Sequence, residues 1–162
     1  RGVKNKKAMV LGDEITEEEV YSGGDIYGKG SFFMHSLRYL IGDDVFLPTL
    51  KKLSTYPQYT YDHFVTTKDV EQLFSAASNK NLEPFFNFYL KTTNVLDISV
   101  KEIGYQKYQI KVNNYFMQLP FEISLNGNTS KMEIPAEGLI VNSALPPQVD
   151  NKGFYLKKVI YL

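Results

Sequence analysis

The spacing of apolar residues changes near Thr93, and no other feature of the sequence constrains the fold as strongly. Before Thr93, apolar residues recur mostly at intervals of three or four, as in amphipathic helices. After it they alternate or cluster in short β-branched runs separated by turn residues. A block of helices followed by a block of strands predicts an α + β chain with two domains, residues 1–93 and 94–162, rather than an interleaved α/β sheet.

Four stretches of the first block have helical periodicity. They cover about 25–41, 45–55, 67–77 and 82–91. The first has a single apolar stripe, made of Ile26, Phe33, Leu37 and Leu40. Gly42 supplies a stop signal after this helix, and Asp43 or Asp44 is predicted to cap the second one.

The second block contains six strand-like segments. They cover about 96–103, 107–113, 119–125, 131–134, 139–141 and 154–162. Asn126-Gly127 is a turn signal because both residues tolerate positive φ, and 144–153 is predicted to be a loop. Short strands at this density predict a small antiparallel β-sandwich of the immunoglobulin-like kind.

Composition narrows the classes of partner. Eighteen basic residues balance eighteen acidic ones, so no net positive potential gathers nucleic acid, and we expect no nucleic-acid partner. The absence of cysteine excludes a thiolate metal site. No apolar run approaches the roughly 20 residues that a bilayer requires, so no membrane span is expected. The compartment stays open between cytoplasmic and extracytoplasmic, meaning periplasmic or secreted.

The stretch SGGDIYGKGS, residues 22–31, nearly matches a phosphate-binding loop. Gly23, Gly28 and Lys29 fit the pattern G-x-x-x-x-G-K-[ST], but Gly30 occupies the place of the magnesium-binding hydroxyl residue. Such a loop must follow a buried strand, whereas GDEITEEEVY precedes this one and carries five carboxylates that would repel a polyphosphate. The sequence therefore does not predict nucleotide binding here.

Tyr27 remains as a candidate functional residue in this stretch. It lies near the N-terminus of the first long helix, where unpaired N–H groups and the positive dipole end favour negative charge. A phenol at such a place can donate a hydrogen bond to an oxyanion that develops during acyl chemistry. The residues alone leave a second interpretation open, which is a partly buried tyrosine with a bonded hydroxyl.

Few residues of the chain could ligate a metal. His35 and His63 are the only histidines, they are 28 residues apart, and neither belongs to an H-E-x-x-H pattern. The acidic run 13–19 is more typical of a solvated face than of a cation site. We therefore expect no metal bound to this chain.

The segment IYGKGSFFMHSLRYLIGDDVFLPTLKKL, residues 26–53, carries two motifs. They are Y-x-K-G-(A/S) and L-R-x-x-(I/V)-G-D-(D/E)-x-F, matched by Tyr27, Lys29, Gly30, Ser31, Leu37, Arg38, Ile41, Gly42, Asp43, Asp44 and Phe46. This segment resembles the part of the aminopeptidase-N type zinc metallopeptidases, the gluzincin aminopeptidases, that follows their zinc site. Residues 64–93 resemble the two helices that come next, and the strands resemble the β-domain that succeeds the catalytic lobe.

The resemblance implies a role for one residue. In that family the tyrosine of Y-x-K-G stabilises the tetrahedral intermediate of peptide hydrolysis, and this role carries over to Tyr27. Lys29, Gly30 and Asp43 match the pattern as structural residues. Two departures lie further along: the helix at 82–91 has no tryptophan, and Leu96 stands near a position where proline is common.

The same resemblance also implies that the chain is a fragment. The family's zinc-binding H-E-x-x-H and glutamate precede the tyrosine, and this sequence contains neither. We therefore expect the C-terminal part of a helical catalytic lobe plus a β-domain, inactive alone and without bound zinc. In the intact zinc aminopeptidase the partners would be peptide substrates and the missing N-terminal part of the lobe.

Two further expectations concern surfaces. A competing interpretation is a non-enzymatic protein- or glycan-binding module, made of a helical bundle and a β-sandwich, that uses aromatic residues such as Tyr56, Tyr59 and Tyr61. If the chain is a fragment, the helices at 24–41 and 68–77 should expose apolar faces where the missing half would pack. Such faces favour self-association.

Overall fold

The computed structural model describes residues 2–10, 16–22 and 25–162. The chain divides into two compact units, residues 1–93 and 94–162. Helices lie in the first unit and strands in the second, which confirms the predicted α + β arrangement in separate blocks. Among the described residues, no helix is both long and apolar enough to cross a membrane.

The first unit is helical, and the four predicted helices are confirmed with shifts of one or two residues at their ends. Its described elements are α1 (Glu17–Ser22), α2 (Asp25–Ile41), α3 (Asp43–Thr55), a 3-10 turn (Pro57–Tyr59), α4 (Thr67–Ser78) and α5 (Glu83–Leu90). A capping box begins α4: the Thr66 hydroxyl accepts the Asp69 N–H at 3.2 Å, and the Asp69 carboxylate accepts the Thr66 N–H at 2.8 Å.

Aromatic packing joins these helices. The Phe33 ring of α2 lies 5.3 Å from the Phe85 ring and 4.9 Å from the Phe86 ring of α5. The Phe46 ring of α3 lies 5.6 Å from the Phe74 ring of α4. All five rings are buried. Burial of a side chain this large stabilises the fold by roughly 1.5–3 kcal/mol, so these contacts hold α2 against α5 and α3 against α4.

The corner between α2 and α3 differs from the prediction. Gly42, with a φ of 83°, is the N-cap residue of α3 and supplies no capping side chain. The prediction that Asp43 or Asp44 caps the helix is wrong, because a positive φ at Gly42 lets the helix begin at Asp43 itself. Asp43 instead accepts two hydrogen bonds from the Arg38 guanidinium, at 2.7 and 2.6 Å.

The second unit contains two sheets. Its strands are β1 (Leu96–Gly104), β2 (Lys107–Val112), β3 (Leu119–Leu125), β4 (Asn128–Ile134), β5 (Leu139–Asn142), β6 (Gln148–Val149) and β7 (Lys157–Tyr161). One sheet has the order β5-β2-β1-β7 and the other the order β4-β3-β6. All pairings are antiparallel except that of β1 with β7, which is parallel.

Alternating side chains form the core of this unit. In the first sheet Ile98 pairs with Val112, and Val100 pairs with Ile110, and all four are buried. In the second sheet Phe121 is fully buried, and its ring lies 5.2 Å from the Tyr155 ring. The period of two in the sequence therefore corresponds to one buried and one solvent-facing side of each sheet.

The region 144–162 departs most from the predicted strands. The predicted loop at 144–153 contains β6, which pairs with β3, and the last strand begins at Lys157 rather than at 154. Asp150 explains the late start, because its carboxylate accepts the N–H groups of Phe154 at 2.8 Å and Tyr155 at 3.0 Å. These two N–H groups therefore do not donate to a neighbouring strand. In addition, β4 begins at Asn128 instead of 131.

Asp150 also makes an ion pair. It is 1% exposed, has a φ of 52°, and its Oδ2 lies 2.9 Å from the Lys157 ammonium. The same ammonium donates to the Asp150 carbonyl at 2.7 Å. One buried carboxylate therefore fixes the connection between β6 and β7.

Candidate functional site

Tyr27 is the third residue of α2, and its side chain is 75% exposed. The structure thus does not show the partly buried tyrosine that the sequence left open. Only the backbone of Tyr27 is engaged within the helix, where its carbonyl accepts the Ser31 hydroxyl at 2.6 Å. The ring stands at the surface of the helical unit, one turn or less from the helix N-terminus.

A buried lysine holds this end of α2 in place. Lys29 is 0% exposed, and its ammonium donates to the Thr92 carbonyl at 2.8 Å, just beyond the end of α5. The negative end of the α5 dipole favours a cation there. Burial lowers the pKa of Lys29, and the charge of Asp25 opposes that shift.

The N-terminal segment ties the same two helices together. The Asp25 carboxylate, 6% exposed, accepts the Lys4 N–H at 2.7 Å. The N–H groups of Met9 and Val10 both donate to the Leu90 carbonyl, at 2.8 and 2.9 Å. The backbone beneath Tyr27 is therefore fixed from several sides, while its phenol remains accessible.

Gly28 leaves the surface beside Tyr27 uncovered. A Cβ at Gly28 would meet nothing within 4 Å, whereas one at Gly30 would lie 3.4 Å from the Met9 methyl group. Gly30 therefore faces the N-terminal segment, and Gly28 faces open space. A substrate could approach the phenol across Gly28 without meeting a side chain at that position.

The phosphate-loop pattern is not a phosphate site within the described residues. Gly23 lies outside them, and the ammonium of Lys29, which would have to contact phosphate, is buried against Thr92. A nucleotide could not reach this group without unpacking the start of α2. The Lys29 ammonium is therefore engaged by the protein itself in this structure.

No zinc site is assembled by the residues that the structure describes. Those ranges contain no group of three or more His, Cys, Asp or Glu residues that could hold a metal ion. Of the acidic run 13–19, residues 13–15 lie outside the description, and the Glu19 carboxylate is bonded to the Thr16 N–H at 2.9 Å. His35 and His63 are both exposed. The described residues do not fit a zinc ion.

The large exposed hydrophobic side chains of the described helical unit lie mainly on α3 and in the loop after it. Tyr27 is the one large exposed hydrophobic residue of α2, and α4 has none. Instead, α3 exposes Leu47 at 49% and Leu50 at 37%, and the loop after it exposes Tyr61 at 89% and Phe64 at 101%. On α4, Val70 and Leu73 are half-buried, and the apolar faces expected on 24–41 and 68–77 remain a prediction.

The arrangement of a helical unit followed by a strand unit has a counterpart among solved structures. It is found in aminopeptidase A of Legionella pneumophila, whose crystal structure was solved in complex with aspartic acid. The two structures align with a TM-score of 0.74 over 96% of this chain, at 17% sequence identity. The chain spans 20% of the length of that protein.

Sequence comparison adds no closer assignment. No protein-family model matches the chain, and no curated protein matches it. At 17% identity the likeness to the Legionella enzyme concerns the fold alone.

Proposed function

We propose that this chain forms part of a larger zinc-dependent aminopeptidase, to which it supplies Tyr27 and the strand unit. The peptidase-related fold over 96% of the chain supports this proposal. The observation that carries it is the exposed phenol on a helix start whose backbone is fixed by Lys29, Asp25 and the N-terminal segment. The zinc ligands would come from outside this chain, and zinc would supply Lewis-acid activation of the peptide carbonyl.

The task of Tyr27 follows from its chemistry. Its phenol donates a hydrogen bond to the oxygen of the scissile carbonyl and keeps its own proton. The bond strengthens as the oxygen becomes an oxyanion, and the N-terminal end of α2 adds a favourable potential. A donor of this kind typically accelerates turnover by roughly 10²–10³. Lys29 and Asp43 contribute by holding the helix rather than by touching the substrate.

The decisive experiment uses the longer enzyme. Tyr27→Phe should lower kcat by roughly 10²–10³ and change KM little, because the contact belongs to the transition state. Tyr61→Phe is the matched control, since Tyr61 is an exposed tyrosine of the same unit. Zinc content is measured in both variants to exclude loss of metal. An unchanged kcat in Tyr27→Phe would remove this residue from the mechanism.

The isolated chain provides a second test. We expect it to cleave no peptide and to keep no zinc after exhaustive dialysis. Stoichiometric zinc in the dialysed chain would contradict the proposal that the ligands lie elsewhere.

The alternative function is a non-enzymatic protein- or glycan-binding module. The observation that favours it is the exposed aromatic loop after α3, with Tyr61 and Phe64 almost fully solvated. Aromatic rings on a surface are a common platform for sugars and for partner proteins. Glycan-array binding that is lost in Tyr61→Ala and Phe64→Ala, together with no H-E-x-x-H encoded upstream in frame, would favour the module.

A further inference from the structure

A cleft of about 690 Å³ lies in the helical unit between α4 and α5. Its size is within the roughly 300–1,000 Å³ that small-ligand sites occupy. Phe86, only 3% exposed, and Val10 give it an apolar part. Tyr27 does not line this cleft, so the chemistry proposed above does not account for it.

The charges around the cleft are balanced. On one wall α4 contributes Lys68 and Glu71, and on the other side Glu83 begins α5 and Lys91 follows its end. Each wall therefore has one cation and one anion. With two cations and two anions around it, the cleft has no net charge that would favour a phosphate or a metal ion. The cleft suits a ligand without net charge that offers several polar groups.

Three side-chain amides also line the cleft, from Gln72, Asn81 and Asn87. An amide presents a donor and an acceptor together, as does the peptide unit. The Glu83 N–H donates to the Asn81 side-chain oxygen at 3.2 Å, which fixes the orientation of that amide. Amides on both walls therefore match the alternating N–H and C=O groups of a polypeptide main chain.

Glu71 is held in position before any ligand arrives. The Ser75 hydroxyl donates to its Oε1 at 2.6 Å, and the Leu82 N–H donates to the same hydroxyl at 3.2 Å. This relay connects α4 with the start of α5 and restrains a half-buried carboxylate. A group that is restrained in advance loses little conformational freedom when it binds.

We propose that this cleft binds a short, uncharged peptide segment. Gln72, Asn87 and Glu71 contact the main chain, and one apolar side chain of the ligand packs against Phe86. Recognition is independent of the ends of the peptide, because the contacts are made to main-chain amides and an apolar side chain. The proposal does not depend on the role of Tyr27 or on peptidase activity, so it can be tested on this chain alone.

The probe is the blocked tripeptide Ac-Ala-Leu-Ala-NH2, titrated into the full ¹⁵N-labelled chain and followed by amide chemical shifts. We expect saturable shifts around the cleft with a Kd of about 1 mM, and weaker binding of Ac-Ala-Asp-Ala-NH2. Asn87→Ala and Gln72→Ala should each raise the Kd about five-fold, the effect of one net hydrogen bond. Gln58→Ala is the control, since Gln58 is an exposed amide on the 3-10 turn outside the cleft.

Several results would overturn the proposal. They are an absence of cleft shifts at about 10 mM peptide, an unchanged Kd in both amide variants, and equal shifts produced by inorganic phosphate. Circular dichroism of each variant separates lost binding from lost folding. If Asn87→Ala does not fold, Gln72→Ala decides the question, because Gln72 is exposed and carries no core packing.

Discussion

The ammonium of Lys29 and the carbonyl of Thr92 are hydrogen-bonded at 2.8 Å although 63 residues separate them in the chain. The bond joins the first turns of α2 to the end of α5 and is completely shielded from solvent on the lysine side. Tyr27 lies two residues before Lys29, so the direction in which its phenol projects depends on this buried contact.

Shortening the Lys29 side chain should lower the free energy of unfolding. Lys29→Ala leaves a cavity and removes the buried hydrogen bond to the Thr92 carbonyl, and we expect a loss of about 2–5 kcal/mol in the free energy of unfolding. Lys29→Met fills the volume and removes a buried charge, so its loss should be smaller, about 1–3 kcal/mol. Urea unfolding of the whole chain measures both. Equal stability of Lys29→Ala and the unmodified chain would show that the contact is not formed in solution.

The buried Lys29 ammonium should also make the stability of the chain depend on pH. Burial lowers the pKa of Lys29 below its ordinary value of 10.5, so between the two values the unfolded chain binds more protons than the folded one. The free energy of unfolding of the unmodified chain, relative to Lys29→Met, should therefore rise with pH through this window and level off above 10.5. Parallel curves for the two proteins would contradict the shift.

Asp43 should stabilise the corner between α2 and α3 in the opposite pH range. The hydrogen bond from Arg38 holds the pKa of Asp43 below its ordinary value of 3.8. Its contribution is present above that value and is lost as the pH falls through the lowered folded-state pKa. Asp43→Asn should thus be slightly less stable at pH 7 and equal to the unmodified chain in acid. Asp44→Asn, which alters the neighbouring exposed carboxylate, should not reproduce this pH dependence.

Asp150 should be the most sensitive position of the strand unit. Asp150→Asn keeps a residue type that tolerates the φ of 52° but leaves the Lys157 ammonium without its carboxylate. We expect a loss of about 3–5 kcal/mol, measured by thermal unfolding. Asp97→Asn, which affects the more exposed pair with Lys158, is the control and should cost about 1 kcal/mol or less. Similar losses in the two variants would contradict a special role for Asp150.

The exposed leucines of α3 should favour self-association. Leu47 and Leu50 are 49% and 37% exposed and lie three residues apart on one helix face. Leu47→Lys with Leu50→Lys should shift the chain toward monomer in light scattering at about 0.1 mM, whereas Leu145→Lys in the strand unit should not. If the unmodified chain is already a monodisperse monomer, this prediction is contradicted.

The spacing of apolar residues predicted those parts of the fold that depend on neighbours in sequence. The stripe that includes Phe33, Leu37 and Leu40 gave the position of α2, and the change near Thr93 gave the order of the two blocks. The β6 strand was missed because it has only two residues, too few to show an alternation of apolar and polar side chains. It is defined by its pairing with β3. The sequence also could not place the cap at Gly42, since nothing local distinguishes a positive φ there from an ordinary helix stop.

The candidate site was predictable only in part. The motif indicated Tyr27, but its exposure depends on the rotation of α2 against α5, which is set by tertiary contacts. The burial of Lys29 was not predictable, because a lysine is normally solvated and its acceptor, Thr92, is distant in sequence. The cleft between α4 and α5 was missed for the same reason, since its amides come from α4, from the loop after it and from α5.

The parallel pairing of β1 with β7 has a consequence for biosynthesis. β1 is the first strand of its unit to leave the ribosome, yet one of its two neighbours is made of residues 157–161 and arrives last. Until then the nascent sheet has an unpaired edge that can recruit strands from other chains. Shielding by a chaperone should therefore matter most in the interval between translation of β1 and translation of β7.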